Sequence, residues 1–296
     1  MDDIKWLEVS VPVDAEAAEA VAEVLSRYAS QGVAIDMGTP SDVQTVTVRA
    51  YLPADESLEE TRRKVEEALW HLGQIWPIPT PTYTTVADRD WTAGWKEKMP
   101  VLHIGQRVVI KPSWRDYRAQ RGEVVLEMDP GLAFGTGIHP TTQLCLGALE
   151  RLVKPGMRVL DLGTGTGVLA IAAVKLADVR VLAVDNSADA VRVARRNARV
   201  NDVAGAIDLL RGSLADVEGT YDLVVANILA STIVEMARSG LAQRLEPGGG
   251  VIASGILQEQ RDEVVGALEE QGLPVSETLT QEDWVALIAR KPSLTA

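Results

Sequence analysis

The stretch from Met157 to Asp185 constrains what this chain can fold into more than any other. Arg158-Val159-Leu160 is a short apolar run that feeds into Asp161-Leu162-Gly163-Thr164-Gly165-Thr166-Gly167, and Val168 to Ala173 then reads as helix. This is strand, glycine turn, helix. A second apolar run, Val179 to Val184, ends on Asp185, roughly 20 residues past the glycines, where a β-α-β unit places the tip of its second strand. An acidic side chain there can accept both hydroxyls of a ribose. Closely spaced glycines let the backbone turn tightly and let a ligand come near main-chain N–H groups that a Cβ would screen, so a nucleotide-like ligand is expected on this turn. The nicotinamide fingerprint, G-x-G-x-x-G, would need its third glycine at Val168, and here the glycine comes early, at Gly167. Asp161, ahead of the first glycine, would repel a pyrophosphate but suits a ligand bearing an ammonium group. The competing reading is a glycine-rich turn that serves only helix–strand packing.

With 296 residues the chain is long enough for two domains and a substantial core. Its 46% hydrophobic and 24% charged residues are those of an ordinary soluble globular protein. Cys145 is the single cysteine, which excludes an internal disulfide and fits a reducing cytoplasm. With only His71, His103 and His139 beside it, no zinc-type cluster can be assembled, and no metal is expected. The start, Met1-Asp2-Asp3, is acidic where a signal peptide would be basic, and charges interrupt every apolar run. A cytoplasmic protein with no membrane segment is expected. A formal net charge of −13 opposes general affinity for a phosphate backbone and favours steering toward a basic protein partner. Acidity that serves solubility alone is the other explanation.

The first part of the chain reads as a small domain. Ile4 to Val11 alternates as a strand, Asp14 then opens a helix with Ala18, Val21, Ala22, Leu25 and Tyr28 on one face, and Val33-Ala34-Ile35 follows. Val43 to Tyr51 is a further strand ended by Pro53; Leu58, Val65, Ala68, Leu69 and Leu72 mark a second amphipathic helix; Thr82 to Val86 supplies a last strand. The order βαββαβ predicts a ferredoxin-like fold, which by itself specifies no function. Pro77, Pro79 and Pro81 stiffen the connection that follows, and Trp91 and Trp95 are expected to dock it onto a neighbouring surface.

Val101 to Pro112 and Glu123 to Met128 read as paired strands leading into the catalytic half, with Arg115, Arg118 and Arg121 in a loop that is solvated or touches a substrate. Asp129 to Thr142 is glycine-rich, holds the only phenylalanine, Phe134, and is expected to fold over a ligand and exclude water. Pro140 suits the first turn of a helix carrying Leu144, Leu146 and Leu149, and His139 reads as a helix-start residue bonded to local backbone rather than as a general base. Beyond Asp185, Ala190, Val193, Ala194 and Ala198 predict the buried face of a helix whose arginines, Arg192, Arg195, Arg196 and Arg199, are solvated. Ile207 to Leu210, Tyr221 to Ala226 and Val251 to Ser254 are further strands; Leu257 to Glu270 reads as helix; Val275 to Leu279 and Trp284 to Ala289 complete the sheet. Ligands of an open parallel sheet bind at the carboxyl ends of its strands, so Gly163, Asp185 and Asn227 are expected to converge on one crevice.

The sequence D-x-G-x-G-x-G with its downstream acid resembles the S-adenosylmethionine (SAM) site of Rossmann-like methyltransferases. Nearly the whole chain resembles the ribosomal protein L11 methyltransferase family. The likeness rests on Trp91 with Gly94-Trp95-Lys96, on Pro112-Ser113-Trp114, and on Asp129 to Gly137 followed by His139-Pro140-Thr141-Thr142. It continues through Asp161 to Gly167, Ala226-Asn227-Ile228-Leu229-Ala230 and Asp283-Trp284-Val285-Ala286-Leu287, and it departs at Ile138, where that family usually has threonine.

The resemblance implies an α/β fold: a Rossmann-like SAM-dependent methyltransferase domain over 101–296, a ferredoxin-like α+β domain over 1–86 that recognises substrate, and a linker over 87–100. It implies methyl transfer from SAM to lysine ε-amines and the N-terminal α-amine of ribosomal protein L11. Carried over by position, the cofactor contacts are Thr142, Gly163, Asp185 and Asn227, with Phe134, Thr136 and Gly165 lining the same pocket; Asp161 joins them on its charge. Asn227 is the candidate for orienting the amine. The expected state is a monomer without direct nucleic-acid or membrane contact. The alternatives are a nucleic-acid N-methyltransferase, disfavoured because Asn227 lacks the following Pro-Pro-aromatic run, and a catalytically silent SAM-binding module.

Overall fold

A computed structural model describes residues 5–26, 28–29, 33–37, 45–56, 58–73, 78–87, 101–128 and 139–293. The chain divides into two compact units, residues 1–99 and 100–296.

In the first unit the order is β1 (Lys5–Asp14), α1 (Ala15–Ser26), β2 (Val33–Met37), β3 (Thr45–Pro53), α2 (Leu58–Leu72) and β4 (Thr82–Ala87). The four strands lie in the order β2-β3-β1-β4, and all three pairings are antiparallel. This is the ferredoxin-like arrangement. Period-two alternation sends Val9, Val11 and Val13 of β1 to one face, where they meet Val48 and Leu52 of β3, Val21 and Leu25 of α1, and Val65 and Leu69 of α2. On the other parity Glu8 accepts from Ser10, Arg49 and Tyr51, a polar cluster rather than a second core.

The second unit opens with a three-stranded sheet of β5 (Leu102–Ile104), β6 (Val108–Lys111) and β7 (Val124–Glu127). Residues 101–112 do not pair as one strand with residues 123–128. They form a hairpin, β5 against β6, and β6 then runs parallel to β7. The remaining elements are α3 (Pro140–Leu152), β8 (Arg158–Leu162), α4 (Val168–Leu176), β9 (Arg180–Asp185), α5 (Ala188–Val200), β10 (Ile207–Arg211), β11 (Tyr221–Asn227), α6 (Ala230–Arg238), β12 (Leu245–Leu257), α7 (Arg261–Glu270), β13 (Val275–Gln281) and β14 (Trp284–Arg290). Leu257 belongs to strand, and the α-helix predicted from there begins at Arg261 after a short 3-10 turn.

These last strands form a seven-stranded sheet in the order β10-β9-β8-β11-β12-β14-β13. Five are parallel, and β14 runs antiparallel between β12 and β13. Both faces are covered, so the strands read as near-continuous apolar runs. Val159, Val225 and Ile252 share one core with α3, α4 and the small sheet, while Leu160, Val224 and Val251 share the other with α6 and α7. In α5 the buried residue is Val191, with Ala190, Ala194, Asn197 and Ala198; Val193 is only half-buried. The helix has turned its stripe toward Asn197, whose side-chain amide donates to Thr166 O at 2.9 Å in the glycine turn.

Candidate active site

The chain proceeds from β8 through β9 to β10 on one side, then returns to lay β11 on the other side of β8. That reversal opens a crevice beyond the carboxyl ends of β8 and β11. Register aligns the strand ends: Val184 lies beside Leu162, Leu162 beside Ala226, and Asn227 beside Ser254. One residue further along, Asp185, Gly163, Asn227 and Ser254 make one row across four strands.

Gly163, Gly165 and Gly167 all have positive φ, at 72°, 55° and 82°. Gly163 is glycine for a second reason, because a Cβ there would collide with Ile228 Cγ2. Three N–H groups of this turn are spent inside the protein. Gly163 and Thr164 donate to Val184 O at 2.9 and 3.0 Å, and Gly165 donates to Asp185 Oδ2 at 2.9 Å. Those three amides are not available as the donors that a phosphate-binding loop presents. The expectation that main-chain N–H groups here are open to a ligand is not met at Gly163, Thr164 and Gly165, whose amides are already bonded within the protein.

Asp161 is fully buried at the end of β8. Its Oδ2 accepts from the Thr164 hydroxyl at 2.6 Å, and its Oδ1 has no partner among the described residues. Burial raises its pKa to about 6, the Thr164 hydroxyl and the Ala170 amide partly offset this, and the Asp185 charge adds to it. Asp185 is half-buried and anchored by two amides, since Ser187 N–H also donates to it, at 2.9 Å. Both oxygens keep a lone pair for other donors.

Asn227 ends β11. Its Nδ2 donates to Thr142 Oγ1 at 3.2 Å, and its Oδ1 is a second buried acceptor without a partner among the described residues. Thr142 itself is fully buried in the first turn of α3. That turn is set by His139, the N-cap, whose Nδ1 accepts from Thr141 N–H at 3.3 Å and lies 2.7 Å from Thr141 Oγ1. The ring stands edge-on to Trp284 at 4.8 Å, and burial lowers its pKa, with Glu282 opposing. His139 is thus a cap, as the sequence predicts.

The structure therefore brings together Thr142, Asp161, Gly163, Gly165, Asp185 and Asn227. Phe134 and Thr136, and Trp91 and Trp95, lie outside the described residues. Ser254 was not identified from sequence. It is fully buried, and its hydroxyl reaches Thr141 O at 3.3 Å and Val285 O at 3.2 Å, tying α3 and β14 to the strand ends. Ile228 and Gly255 were also missed; the only local signal was a serine-glycine pair closing an apolar strand. Among the described residues no group of His, Cys, Asp and Glu could hold a metal ion, and no helix is long and apolar enough to cross a membrane.

The crevice supplies buried acceptors and negative charge, and three of its turn amides are already bonded. That chemistry fits SAM, which carries an ammonium, a sulfonium charge and ribose hydroxyls, and it does not fit a pyrophosphate. Sheet order and crevice define a SAM-dependent methyltransferase of the Rossmann-like class. The family model described as ribosomal protein L11 methyltransferase (PrmA) matches residues 5–292. A ribosomal protein L11 methyltransferase of Chloroflexus aurantiacus is 43% identical, covering 99% of this chain and 100% of its own. Its counterpart in Herpetosiphon aurantiacus is 41% identical, covering 98% and 100%. A crystal structure of ribosomal protein L11 methylase from Lactobacillus delbrueckii subsp. bulgaricus superimposes with a TM-score of 0.60 at 36% identity, covering 64% of this chain and 97% of that one. The chain belongs to the ribosomal protein L11 methyltransferase family, whose cofactor is SAM.

Proposed function

We propose that this protein transfers methyl groups from SAM to lysine ε-amines and the N-terminal α-amine of ribosomal protein L11. The observation that carries this reading is the buried Oδ1 of Asn227, without a partner among the described residues and held at the strand end by the Nδ2 bond to Thr142. An amine donor satisfies that acceptor. When bound, SAM supplies an electrophilic methyl group on a positively charged sulfur. Asp161 would hold the ammonium of the cofactor, Asp185 would accept its ribose hydroxyls, and Gly163 and Gly165 would let it lie against the turn. Phe134 and Thr136, which precede α3 in the sequence, join these as cofactor contacts.

Asn227 Oδ1 receives an N–H of the incoming amine and aims the nitrogen lone pair at the methyl carbon. In-line displacement needs that alignment more than it needs a base. A free lysine is mostly protonated at neutral pH, with a pKa of about 10.4. Transfer into a closed site beside a positive charge favours the neutral, nucleophilic form, and the proton leaves to solvent as the amine enters. Residues 1–86 recognise the protein substrate, residues 101–296 hold SAM, and residues 87–100 link them.

The test is incubation with methyl-labelled SAM and purified ribosomal proteins, with ribosomal RNA in a parallel arm, followed by mass-spectrometric mapping of the labelled residues. Label on amines of L11 supports the reading. Label confined to RNA, or cofactor binding with no transfer, refutes it.

A further inference from the structure

Ile228 follows Asn227 and sits between two glycines from different strand ends. On one side a Cβ at Gly163 would collide with Ile228 Cγ2. On the other side Gly255 of β12, at φ 87°, lies under the Ile228 peptide: a Cβ there would overlap the Ile228 carbonyl oxygen and stand 2.9 Å from its carbonyl carbon and 3.0 Å from its nitrogen. The same nitrogen donates to Ser254 O at 3.1 Å. Ser254 is in turn held through its hydroxyl by Thr141 O and Val285 O. Asn227 is thereby followed by a peptide fixed on its backbone by β12 and on its side chain by the cofactor turn.

Gly163 and Gly255 have φ of 72° and 87°, so the turn and the strand irregularity each favour glycine there, and the close passage of Ile228 adds a second reason at both. The pairing of β12 with β14 shifts register between Ser254 and Ile256, so Gly255 forms a bulge at the point where the Ile228 peptide passes. Bulges re-aim chain segments beside sites. Leu229, next along, is 72% exposed, and burial resumes at Ala230 and Ile233 in α6. This clamp acts beside the packing of Ile228 against the core shared with α6 and α7 and beside the bond from Asn227 Nδ2 to Thr142.

We propose that Ile228 is a positioning residue of this methyltransferase: its β-branched side chain, seated on Gly163 and braced from behind by Gly255, transmits the position of the cofactor turn to Asn227. The inference rests on the amine-orienting role proposed above for Asn227. It adds a specific requirement for Cγ2, the methyl branch at Cβ, and for no side chain at residue 255.

The requirement separates isomers. Ile228→Val keeps both γ carbons, Ile228→Leu keeps the volume but loses the branch at Cβ, and Gly255→Ala pushes on the peptide. Turnover, amine KM, SAM affinity by calorimetry, melting temperature, and the NMR shifts of the Asn227 side-chain amide are measured for each. Ile228→Leu is expected to lose roughly tenfold to a hundredfold in kcat, the scale of a reacting group displaced by about 1 Å. Its SAM affinity and amine KM stay within about threefold and its melting temperature within a few degrees, as volume-conserving swaps allow. Its Asn227 amide signals move. Ile228→Val holds kcat within about threefold and leaves those signals in place.

Equal kcat for the two isomers, with unmoved Asn227 signals, overturns the proposal, as does a kcat loss that tracks melting temperature across the series. If Gly255→Ala fails to fold, the isomer pair still decides. If the parent methylates no amine, the amine-transfer reading fails, and the NMR arm alone judges the clamp: an Asn227 amide that shifts in Ile228→Leu and not in Ile228→Val upholds it, and any other pattern sinks it.

Discussion

Replacing Asp161 by asparagine is expected to stabilise the protein while weakening SAM binding, and the first of these effects can be sized from the carboxyl's surroundings. Asp161 is fully buried, and its pKa rises from 3.8 to about 6. A folded pKa above the unfolded one means that folding takes up a proton between those values. Stability from this group is therefore greatest at low pH and is lost as pH rises through about 6. At pH 8 the interval amounts to about 3 kcal/mol against the folded state, at 1.36 kcal/mol per pH unit, and at pH 5 to roughly half of that. Asparagine, like protonated aspartate, is neutral and keeps an acceptor for Thr164, with an NH2 group of two donors where the carboxyl has one, so Asp161→Asn should recover most of this amount. That is about 2 to 3 kcal/mol at pH 8, or on the order of 4 to 12 °C in melting temperature for a domain of this size, and clearly less at pH 5. SAM, if its ammonium meets the ionised carboxylate, should bind the variant at least about tenfold more weakly, the usual scale of a hydrogen bond to a charged group. Denaturant titration at both pH values and calorimetric titration with SAM at pH 8 measure the two effects. A variant less stable than the parent at pH 8, or a gain equal at both pH values, would refute the electrostatic account of Asp161. Unchanged SAM affinity would move the ammonium elsewhere.

Three further outcomes are expected. Asn227→Ala should bind SAM within roughly tenfold of the parent yet lose on the order of a hundredfold in single-turnover rate; a variant that transfers methyl at the parental rate would remove Asn227 from the reaction. His139→Ala should lose about 1 kcal/mol of stability at pH 8, the scale of an N-cap, whereas His139→Asn should retain it. Because burial holds the folded His139 pKa below 6.5, the cap's contribution is present above that value and fades as pH falls, so an alanine variant whose deficit grows on acidification would contradict it. A chain of residues 100–296 should bind SAM within about threefold of the full protein but methylate intact L11 poorly; full activity of that fragment would take substrate recognition away from residues 1–86.

Much of this site was legible in the sequence because local spacing dictates it. Three glycines between an apolar run and a helix can only be a turn at a strand end, and the second apolar run places Asp185 at the neighbouring tip. His139 ahead of Pro140 reads as a helix start, and the alternation of Val9, Val11 and Val13 gives β1 its buried face. These features depend on residues within a few positions of one another, where period and backbone stereochemistry are sufficient. Strand order was not encoded in that way. That β14 inserts antiparallel between β12 and β13, that residues 101–112 fold back on themselves, and that α5 buries Val191 rather than Val193 follow from which surfaces remain to be covered once the sheet forms.

The chemistry that matters most lies on this second level. Asn227 meets Thr142 and Ser254 meets Thr141 across 85 and 113 residues of chain. The bonding of three turn amides to β9, which takes those donors away from a ligand, exists only when β8 and β9 lie side by side. By itself the sequence determined the kinds of groups at the crevice, because residue type and strand-end position are local. Their burial, their bonding and the clamp on Ile228 were decided by the sheet's topology, because desolvation and close contact depend on what packs from far along the chain.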